Sequence, residues 1–246
     1  MGALFPDSDL NQNAGSDDAV QISVSGNVVT IDVFVDIQGD TTTMIPNSSG
    51  GYYSTLDLTI QGLESISGVY VGVFGQIVAV EVDVHQGSSP SWACLPREIT
   101  QNFVPVNLHD RPGVSTLTRP RSGWSPASPG AVDIFSHFDS GDPRTYWQFR
   151  NVSIHEFLHM LGVNDANREW RRNEDGELYS DRPDADMLDD IFLEVMGFGI
   201  HEQDMHISQY TIMMMIYALT SGEWQRFMEY EGGPQSNVFN ANIQKG

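Results

Sequence analysis

The chain has 246 residues, 40% of them hydrophobic and 10% aromatic, which is typical of a globular protein and enough to bury a core. No apolar run approaches the roughly 20 residues that a membrane-spanning helix needs, so we expect a soluble protein without membrane insertion. Twelve Lys and Arg against 33 Asp and Glu give a formal charge of -21, and a surface this acidic repels phosphate, which excludes nucleic acid as an expected partner.

The domain organisation is predicted to be simple. Residues 1–19 are polar and acidic, without hydrophobic periodicity, and predict a flexible lead-in. Residues 20–246 contain no repeat, low-complexity tract or strong linker, which favours a single domain. The first residues have neither a basic segment nor a long apolar core, so no signal peptide is predicted in this chain. Cys94 is the single cysteine, so no internal disulfide is expected.

The first third of the chain predicts strands with one helix between them. Hydrophobic and polar residues alternate over 29–37, the period of a half-buried strand. Hydrophobic residues then recur at helical spacing over 56–63. The segment SGVYVGVFGQIVAVEVDVH predicts two further strands, joined near Phe74 and Gly75. This order predicts a mixed sheet with a helix packed on it.

A long connection and a second helix are predicted next. Residues 86–130 are rich in Ser, Pro, Gly and Arg, and we expect most of them to be irregular. Residues 131–136 predict a short strand. From Phe149 to Leu161 the hydrophobic residues lie on or near one helical stripe, and Gly162 can end this helix in a left-handed conformation.

The last third is predicted to contain an acidic loop and helices. Residues 165–194 hold 11 acidic residues with little apolar periodicity, which is typical of a solvated loop. The apolar segment LEVMGFG follows it. Residues 212–219 then have the spacing of an amphipathic helix, and residues 222–230 predict a short further helix.

The stretch HEFLHMLGVND lies at the C-terminal end of the helix predicted before Gly162. His155 and His159 are one helical turn apart and project from the same face, so their imidazoles can share one metal ion. Glu156 is rotated about 100 degrees from His155 and can face a metal-activated water instead of binding the metal. Gly162 lets the chain turn sharply, so that Asp165 can return as a third ligand. Three protein ligands predict a catalytic zinc site.

The motif is specific. Seven His and 12 Glu in 246 positions give HExxH about 0.01 times by chance, and the Gly and Asp at their offsets lower this to roughly 0.0001. The alternative is a surface helix with incidental histidines. The position of the motif at a helix end favours the metal site.

The pattern HExxHxxGxxD, here His155, Glu156, His159, Gly162 and Asp165, resembles the long zinc signature of the metzincin metallopeptidases, in the variant with aspartate at the third ligand. The resemblance covers roughly residues 27 to 220 in its order of elements. It implies an α/β (α+β) fold with a mixed twisted sheet, packed helices, an active-site helix, a methionine turn and a C-terminal helix. It also implies an N-terminal subdomain to about residue 162 and a C-terminal subdomain after it.

The methionine turn of the resembled family lies beneath the metal. Met196 in EVMGFG is the best match, and Met187 in ADMLDD is the alternative, although its acidic neighbours suit a buried turn badly. Leu158 stands where many metzincins have glycine. Phe198 stands where some of them place a tyrosine near the metal, so a second stabiliser of the oxyanion is not identified.

A weaker resemblance is to the metallopeptidase-like domains of bacterial Rhs-type toxins, carried by GVYVGVFGQIVAVEVDV, LGVNDA, and VMG before an apolar helix and WQRF. The two resemblances together imply a zinc-dependent endopeptidase that acts on protein or peptide substrates, with Glu156 as general base. They also imply a protein that is secreted or delivered as part of a larger bacterial protein. The alternative is a metal-binding but non-proteolytic interaction module, or an inactive peptidase-like domain.

Other residues with metal-binding chemistry have weaker patterns. The remaining histidines have no ligand spacing and are expected to be surface or core residues: His85, His109, His137, His201 and His206. Cys94 is expected to be a small buried thiol, and a latency switch on the zinc is the alternative. The segment NEDGELYSDRPDAD is a weaker candidate for Ca2+, because its acid spacing does not fit an EF-hand loop. The strand 131–136 is expected either to align an extended substrate or to be an ordinary edge strand.

Overall fold

The computed structural model describes residues 18–71, 77–88, 102–120, 123–165, 171–172, 178–179, 195–196 and 203–224. Within them the protein is mixed α/β, with a seven-stranded mixed sheet, two small two-stranded sheets and three helices. None of these helices is both long and apolar enough to cross a membrane.

The strands are β1 (Val20–Ser25), β2 (Val28–Gly39), β3 (Met44–Pro46), β4 (Tyr52–Ser54), β5 (Gly68–Val71), β6 (Ile77–Gln86), β7 (Val104–Pro112), β8 (Thr116–Thr118), β9 (Ala131–His137), β10 (Arg171–Arg172) and β11 (Leu178–Tyr179). The helices are α1 (Thr55–Glu64), α2 (Tyr146–Met160) and α3 (Gln209–Ser221).

The large sheet has the order β5-β6-β2-β7-β9-β8, and β1 pairs with the first half of β2. Strands β6, β2, β7 and β9 run parallel to one another. Strands β5 and β8, at the two ends of this order, and β1, beside β2, run antiparallel to them. Parallel neighbours need crossover connections, and α1 supplies one between β2 and β6. The edge strand β8 therefore lies beside β9, the strand that leads into α2.

Buried and partly exposed residues alternate along the strands, and this alternation determines which face of the sheet is covered by helices. Ile31, Val33 and Val35 of β2 are buried, while Asp32 and Phe34 between them are partly exposed on the opposite face. The other parallel strands show the same period of two. The buried face packs against α1 and α2, so one side of the sheet carries the core and the other faces outward.

Local hydrogen bonds fix where α1 and α2 begin. Ser54 and Asp57 form a reciprocal capping box at the start of α1. Thr145 and Gln148 form the equivalent pair at the start of α2, and α2 is buried along most of its length. The first turn of α2 is therefore held beside the end of β9, which sets the position of the helix on the sheet.

The fold confirms most predicted elements and corrects three predictions. A strand, β1, precedes the predicted first strand, and Ala19, at the end of the predicted lead-in, is buried. The predicted irregular connection over residues 86–130 contains two strands that the prediction missed, β7 and β8, and its residues 89–101 and 121–122 lie outside the described residues. The strand β9 is not an edge strand, since β7 and β8 flank it. The free edge next to α2 therefore belongs to β8 and not to residues 131–136.

Candidate metal centre

Helix α2 brings the two predicted histidine ligands together on one face. The ring centroids of His155 and His159 are 4.6 Å apart, and their planes are inclined by 79°. Both side chains lie at the C-terminal end of the helix, where hydrophobic neighbours pack closely around it. The two imidazoles are therefore held in a fixed relation by the helix itself, as the spacing predicts.

A glycine turn returns the chain to the histidines. Gly162 has φ +94°, a left-handed conformation that L-residues rarely adopt. A Cβ at this position would lie 2.5 Å from Ala218 Cβ and 2.7 Å from ring atoms of Trp124, so packing as well as backbone conformation requires glycine. The Val163 amide donates to the Leu158 carbonyl at 3.0 Å and tightens the turn.

Asp165 lies at the end of this turn and meets both imidazoles. Its Oδ1 lies 3.2 Å from His155 Nε2 and 3.1 Å from His159 Nε2, and the three possible donor atoms lie within 4.8 Å of one another. Donors about 2.0–2.2 Å from a tetrahedral zinc ion lie about 3.3–3.6 Å apart. The two spacings from Asp165 Oδ1 to the imidazole nitrogens are slightly shorter than these values, so a small outward movement of the carboxylate fits them to zinc.

The other nitrogen of each imidazole is held by a backbone carbonyl. His155 Nδ1 donates to the Val195 carbonyl at 2.8 Å, and His159 Nδ1 donates to the Val163 carbonyl at 2.7 Å. A carbonyl only accepts hydrogen bonds, so Nδ1 of each imidazole carries a proton, and Nε2, which faces Asp165, is the atom that can hold a second proton or a metal ion. Hydrogen bonds of this kind orient histidine ligands in metal sites.

The segment predicted to contain the methionine turn lies beside His155. Val195 and Met196 form a buried turn, and the Val195 amide donates to the His206 carbonyl at 2.9 Å. The carbonyl of Val195 is the acceptor for His155. Met196 is therefore next in the chain to the residue that orients the first ligand; Met187, the alternative, lies outside the described residues.

The electrostatics of the triad favour a shared positive charge. Burial alone would raise the pKa of Asp165, but hydrogen bonds and charge from the two imidazoles hold it well below its usual value. Burial alone would lower the pKa of His155, but Asp165 and Glu156 together raise it above 6.5. In the absence of another cation, the carboxylate therefore favours the protonated form of His155. A metal ion can replace that proton.

Glu156 lies beside the triad and is almost completely buried, at 4% exposure. Burial is the main cause of the raised pKa of its carboxyl group, and the charge of Asp165 acts in the same direction. His155, His159 and Arg144 oppose this shift through their positive charge. Its Oε2 has no hydrogen-bond partner among the described residues. A buried carboxylate oxygen without a partner is unfavourable for folding and is typical of a functional site.

Arg144 is a neighbour of Glu156 that the sequence pattern did not indicate. It donates from Nε to the Phe135 carbonyl at 3.1 Å, and its guanidinium lies 4.1 Å from the centre of the Phe138 ring. Burial lowers the pKa of Arg144, whereas the charge of Glu156 acts in the opposite direction. The side chain therefore places a partly buried positive charge within range of Glu156.

Two tryptophans and an arginine cover the His159 side of the site and were also missed. The ring of Trp224 stacks on His159, with centroids 6.0 Å apart and an interplanar angle of 21°. Trp124 meets Trp224 edge-on and donates from Nε1 to the Met160 carbonyl at 2.8 Å. The guanidinium of Arg119 lies 4.3 Å from the centre of the Trp224 ring. These residues are distant in sequence. The one sequence signal for this part of the site was the predicted turn at Gly162, on which Trp124 packs.

The other histidines of the described chain do not join the triad. His85 and His109 each pair with an aspartate of a neighbouring strand, and His137 lies near Asp110. The only group of three or more possible ligands found in the described residues is the triad itself. Further predictions lie outside those residues: those on His201, Cys94 and Phe198, on all the acidic residues of the segment weighed for Ca2+, and on the short helix over 222–230 from residue 225 onward.

Comparison with known proteins adds no relative. No protein-family model, no curated protein and no solved structure matches this chain. We therefore infer its function from its own side chains and their arrangement.

Proposed function

We propose that the protein is a zinc-dependent endopeptidase, with His155, His159 and Asp165 as metal ligands and Glu156 as general base. The observation that carries the proposal is the close approach of Asp165 Oδ1 to both imidazole Nε2 atoms, at distances near those between the donors of a tetrahedral zinc, beside a buried carboxylate with an oxygen that has no partner among the described residues. The unpartnered oxygen of Glu156 has no structural explanation within the described chain.

The donor set favours catalytic over structural zinc. Structural sites use four protein ligands, usually with thiolates, whereas catalytic sites use three. In the described residues the cluster contains two imidazoles and one carboxylate and no fourth His, Cys, Asp or Glu. Zinc held there would act as a Lewis acid toward a substrate carbonyl and would make water easier to deprotonate.

The protein's own residues would do the rest of the chemistry. Glu156 would take a proton from the attacking water and deliver it to the leaving amine. Its burial supports this role, because a desolvated carboxylate with a raised pKa is a stronger base. Asp165 is anionic, so we expect weaker polarisation of the substrate than three neutral imidazoles would give. Arg144 would keep part of the Glu156 population ionised.

The order of elements supports a relation to the metzincins. Strand β2, helix α1 and strands β6 and β7 precede α2 in the order that the resemblance implies, with β8 as the antiparallel edge strand in place of residues 131–136. The buried turn at Val195 and Met196, against His155, is where a methionine turn would lie. On this proposal the chain divides near residue 162 into two subdomains, and an extended substrate would lie along β8.

The main alternative is a metal-binding module without proteolytic activity. Glu156 favours the enzyme, because a structural metal site has no use for a buried carboxylate beside its first ligand. Such a module would gain stability from an uncharged residue at this position, since burial opposes ionisation of Glu156.

The test compares the parent protein, Glu156→Gln and a matched control, Glu81→Gln, in which the exchanged carboxylate is exposed on β6. Zinc content would be measured by mass spectrometry, and cleavage would be followed on a denatured generic protein and a mixed peptide library. We expect one zinc per chain in all three proteins, cleavage by the parent and the control, and a loss of about 100-fold or more in Glu156→Gln. Equal rates in Glu156→Gln and parent would contradict the proposal, and zinc without cleavage would favour the module.

A further inference from the structure

Three side chains from distant parts of the chain form a stack beside the candidate metal ligand His159. The Trp224 ring lies on His159, and the Arg119 guanidinium lies on the Trp224 ring. Trp124 supports Trp224 from the side and is fixed by its hydrogen bond to the Met160 carbonyl. The stack therefore extends from a metal ligand to an exposed cation.

The end of α3 brings Trp224 to this position. Gly222 caps the helix in the left-handed conformation, with φ +74°, and its amide donates to the Ala218 carbonyl at 2.9 Å. The turn sends the chain back toward α2, where Ala218 itself lies close to Gly162. The helix cap, the glycine turn and the tryptophan thus belong to one packed unit.

Arg119 is unusual in a chain this acidic. It is exposed, and it makes no ion pair with any residue in the described part of the chain, although acidic residues outnumber basic ones 33 to 12. It follows directly after β8, the edge strand beside the site. A cation that is held on an aromatic ring, and that no carboxylate of the described residues pairs with, is available to a ligand.

We propose that Arg119, supported by Trp224, is a binding subsite for a substrate carboxylate. On this inference, which rests on the proposed peptidase function, the preferred substrates are peptides with an acidic side chain close to the cleaved bond.

The geometry suits a planar carboxylate. A guanidinium that stacks on an aromatic ring keeps the N–H groups at its edge free to form two parallel hydrogen bonds with a carboxylate. The stacking also holds the side chain in one orientation, which lowers the entropy lost on binding. The net charge of -21 repels an acidic peptide elsewhere, so an exposed cation near the ligands would select where the acidic residue lies.

Arg119 could instead serve only to hold Trp224 against His159. The two roles differ in what they affect. If Arg119 only holds Trp224 in place, as a clamp, its loss would change zinc affinity and thermal stability and would affect the cleavage of every substrate equally. If Arg119 is a carboxylate subsite, its loss would change the ratio of the cleavage rates of acidic and neutral substrates. The charge of the side chain is decisive for the subsite, and its aliphatic stem is enough for much of the clamp.

The experiment uses the zinc-loaded full chain and peptide sets that differ only in Glu, Gln or Lys at each position flanking the cleaved bond. The parent is expected to cleave the best Glu peptide about 5- to 20-fold faster, by kcat/KM, than its Gln counterpart. Arg119→Gln should abolish this ratio, and Arg119→Glu should reverse it in favour of Lys. Arg111→Gln is the matched control, since Arg111 is also exposed and lies near an aromatic ring, Phe135, and it should keep the parental ratio.

Binding is measured in parallel, so the inference does not depend on turnover. In zinc-loaded Glu156→Gln, peptide affinity would be followed by tryptophan fluorescence, with and without Arg119→Gln. Tighter binding of Glu peptides that requires Arg119 supports the subsite, even if no peptide is cleaved and the peptidase proposal fails. Equal binding and equal cleavage of Glu and Gln peptides by the parent would overturn the subsite and leave the peptidase proposal intact. A changed zinc affinity in Arg119→Gln with an unchanged Glu-to-Gln ratio would assign Arg119 to the clamp.

Discussion

Histidines meet aspartates in two regions of this protein, with different results. At the end of α2, His155 and His159 share one oxygen of Asp165, and all three side chains are largely buried. On the outward face of the sheet, His85 binds Asp32 at 2.7 Å and His109 binds Asp133 at 2.8 Å. These sheet pairs remain separate, and each histidine stacks on a phenylalanine instead of a second imidazole.

The comparison shows that residue types alone do not make a metal site. Each sheet pair offers one imidazole and one carboxylate, which is too few donors for a tight zinc site. The triad has two imidazoles whose second nitrogens are held by backbone carbonyls, so both Nε2 atoms point to the same place. The two regions differ because two imidazole nitrogens converge on one point in the triad, where hydrogen bonds to the backbone hold them.

The largest expected difference between the regions concerns histidine removal. His159→Ala should weaken zinc binding by about 1,000-fold and abolish peptide cleavage, because it removes one of three ligands. His109→Ala, the matched change on the sheet, should leave zinc affinity within about twofold. Zinc titration against a competing chelator measures both. Comparable zinc affinities in the two variants would remove the distinction between the regions.

Exchange of the aspartates should give a smaller effect. Asp165→Asn keeps a neutral oxygen donor but loses the negative charge, so we expect zinc affinity to fall by about 10- to 100-fold. Asp133→Asn should not change it, since Asp133 contacts His109 and Asn107 on the other face of the sheet. Calorimetric zinc titration of both variants checks this. An unchanged affinity in Asp165→Asn would contradict the assignment of Asp165 as a ligand.

Substitution of two glycines can distinguish the cost of backbone strain from the cost of overpacking at the site. Gly162 and Gly141 both have φ +94°, but a Cβ on Gly141 would meet nothing within 4 Å, whereas one on Gly162 would meet Ala218 and Trp124. Gly141→Ala should lower the free energy of unfolding by about 1–2 kcal/mol from strain alone. Gly162→Ala should lose about 1–3 kcal/mol more from overpacking. Urea unfolding of the metal-free proteins gives both values, and equal losses would show that the turn does not pack as described.

The pH dependence should differ between metal-free and zinc-loaded protein. Without metal, the raised pKa of His155 contributes stability below pH 6.5 that is lost as pH rises through the folded-state value. The lowered pKa of Asp165 contributes stability above pH 3.8 that is lost as pH falls through its folded-state value. The triad therefore stabilises the metal-free protein most between about pH 4 and 6.5.

Zinc reverses the upper part of this dependence, because it binds imidazoles only after their Nε2 protons leave. The rise in Tm on zinc addition should be small at pH 5.5 and should grow toward pH 8, with zinc affinity changing by about tenfold per pH unit. Differential scanning calorimetry at both values measures it, with His159→Ala as the control that should show little rise. An equal zinc-induced rise at the two pH values would contradict the raised His155 pKa.

The sequence predicted the parts of the molecule that depend on local pattern. The alternation of hydrophobic and polar residues along β2 and the helical spacing before Gly162 are periodic signals. The spacing of His155, Glu156 and His159 can be interpreted once a single helix is predicted. Strand β7 was missed, although Val104, Val106 and Leu108 alternate, because Pro and Gly dominate the segment around them.

The remaining features of the site depend on tertiary contacts that no local pattern records. Backbone carbonyls orient both histidines. Every residue has a backbone carbonyl, so the residue types in the sequence do not indicate these contacts. Trp224 reaches His159 only because α3 ends at Gly222 against the Gly162 turn. Arg119 acquires its environment from that same packing.

The most direct test of the central claim is X-ray absorption at the zinc edge of protein loaded with one zinc per chain. We predict two imidazole nitrogens at about 2.0–2.1 Å and oxygen ligands at about 2.0–2.2 Å, with loss of one imidazole in His159→Ala and no change in His109→Ala. A sulfur ligand at about 2.3 Å, or a spectrum that His159→Ala leaves unaltered, would show that the metal binds elsewhere.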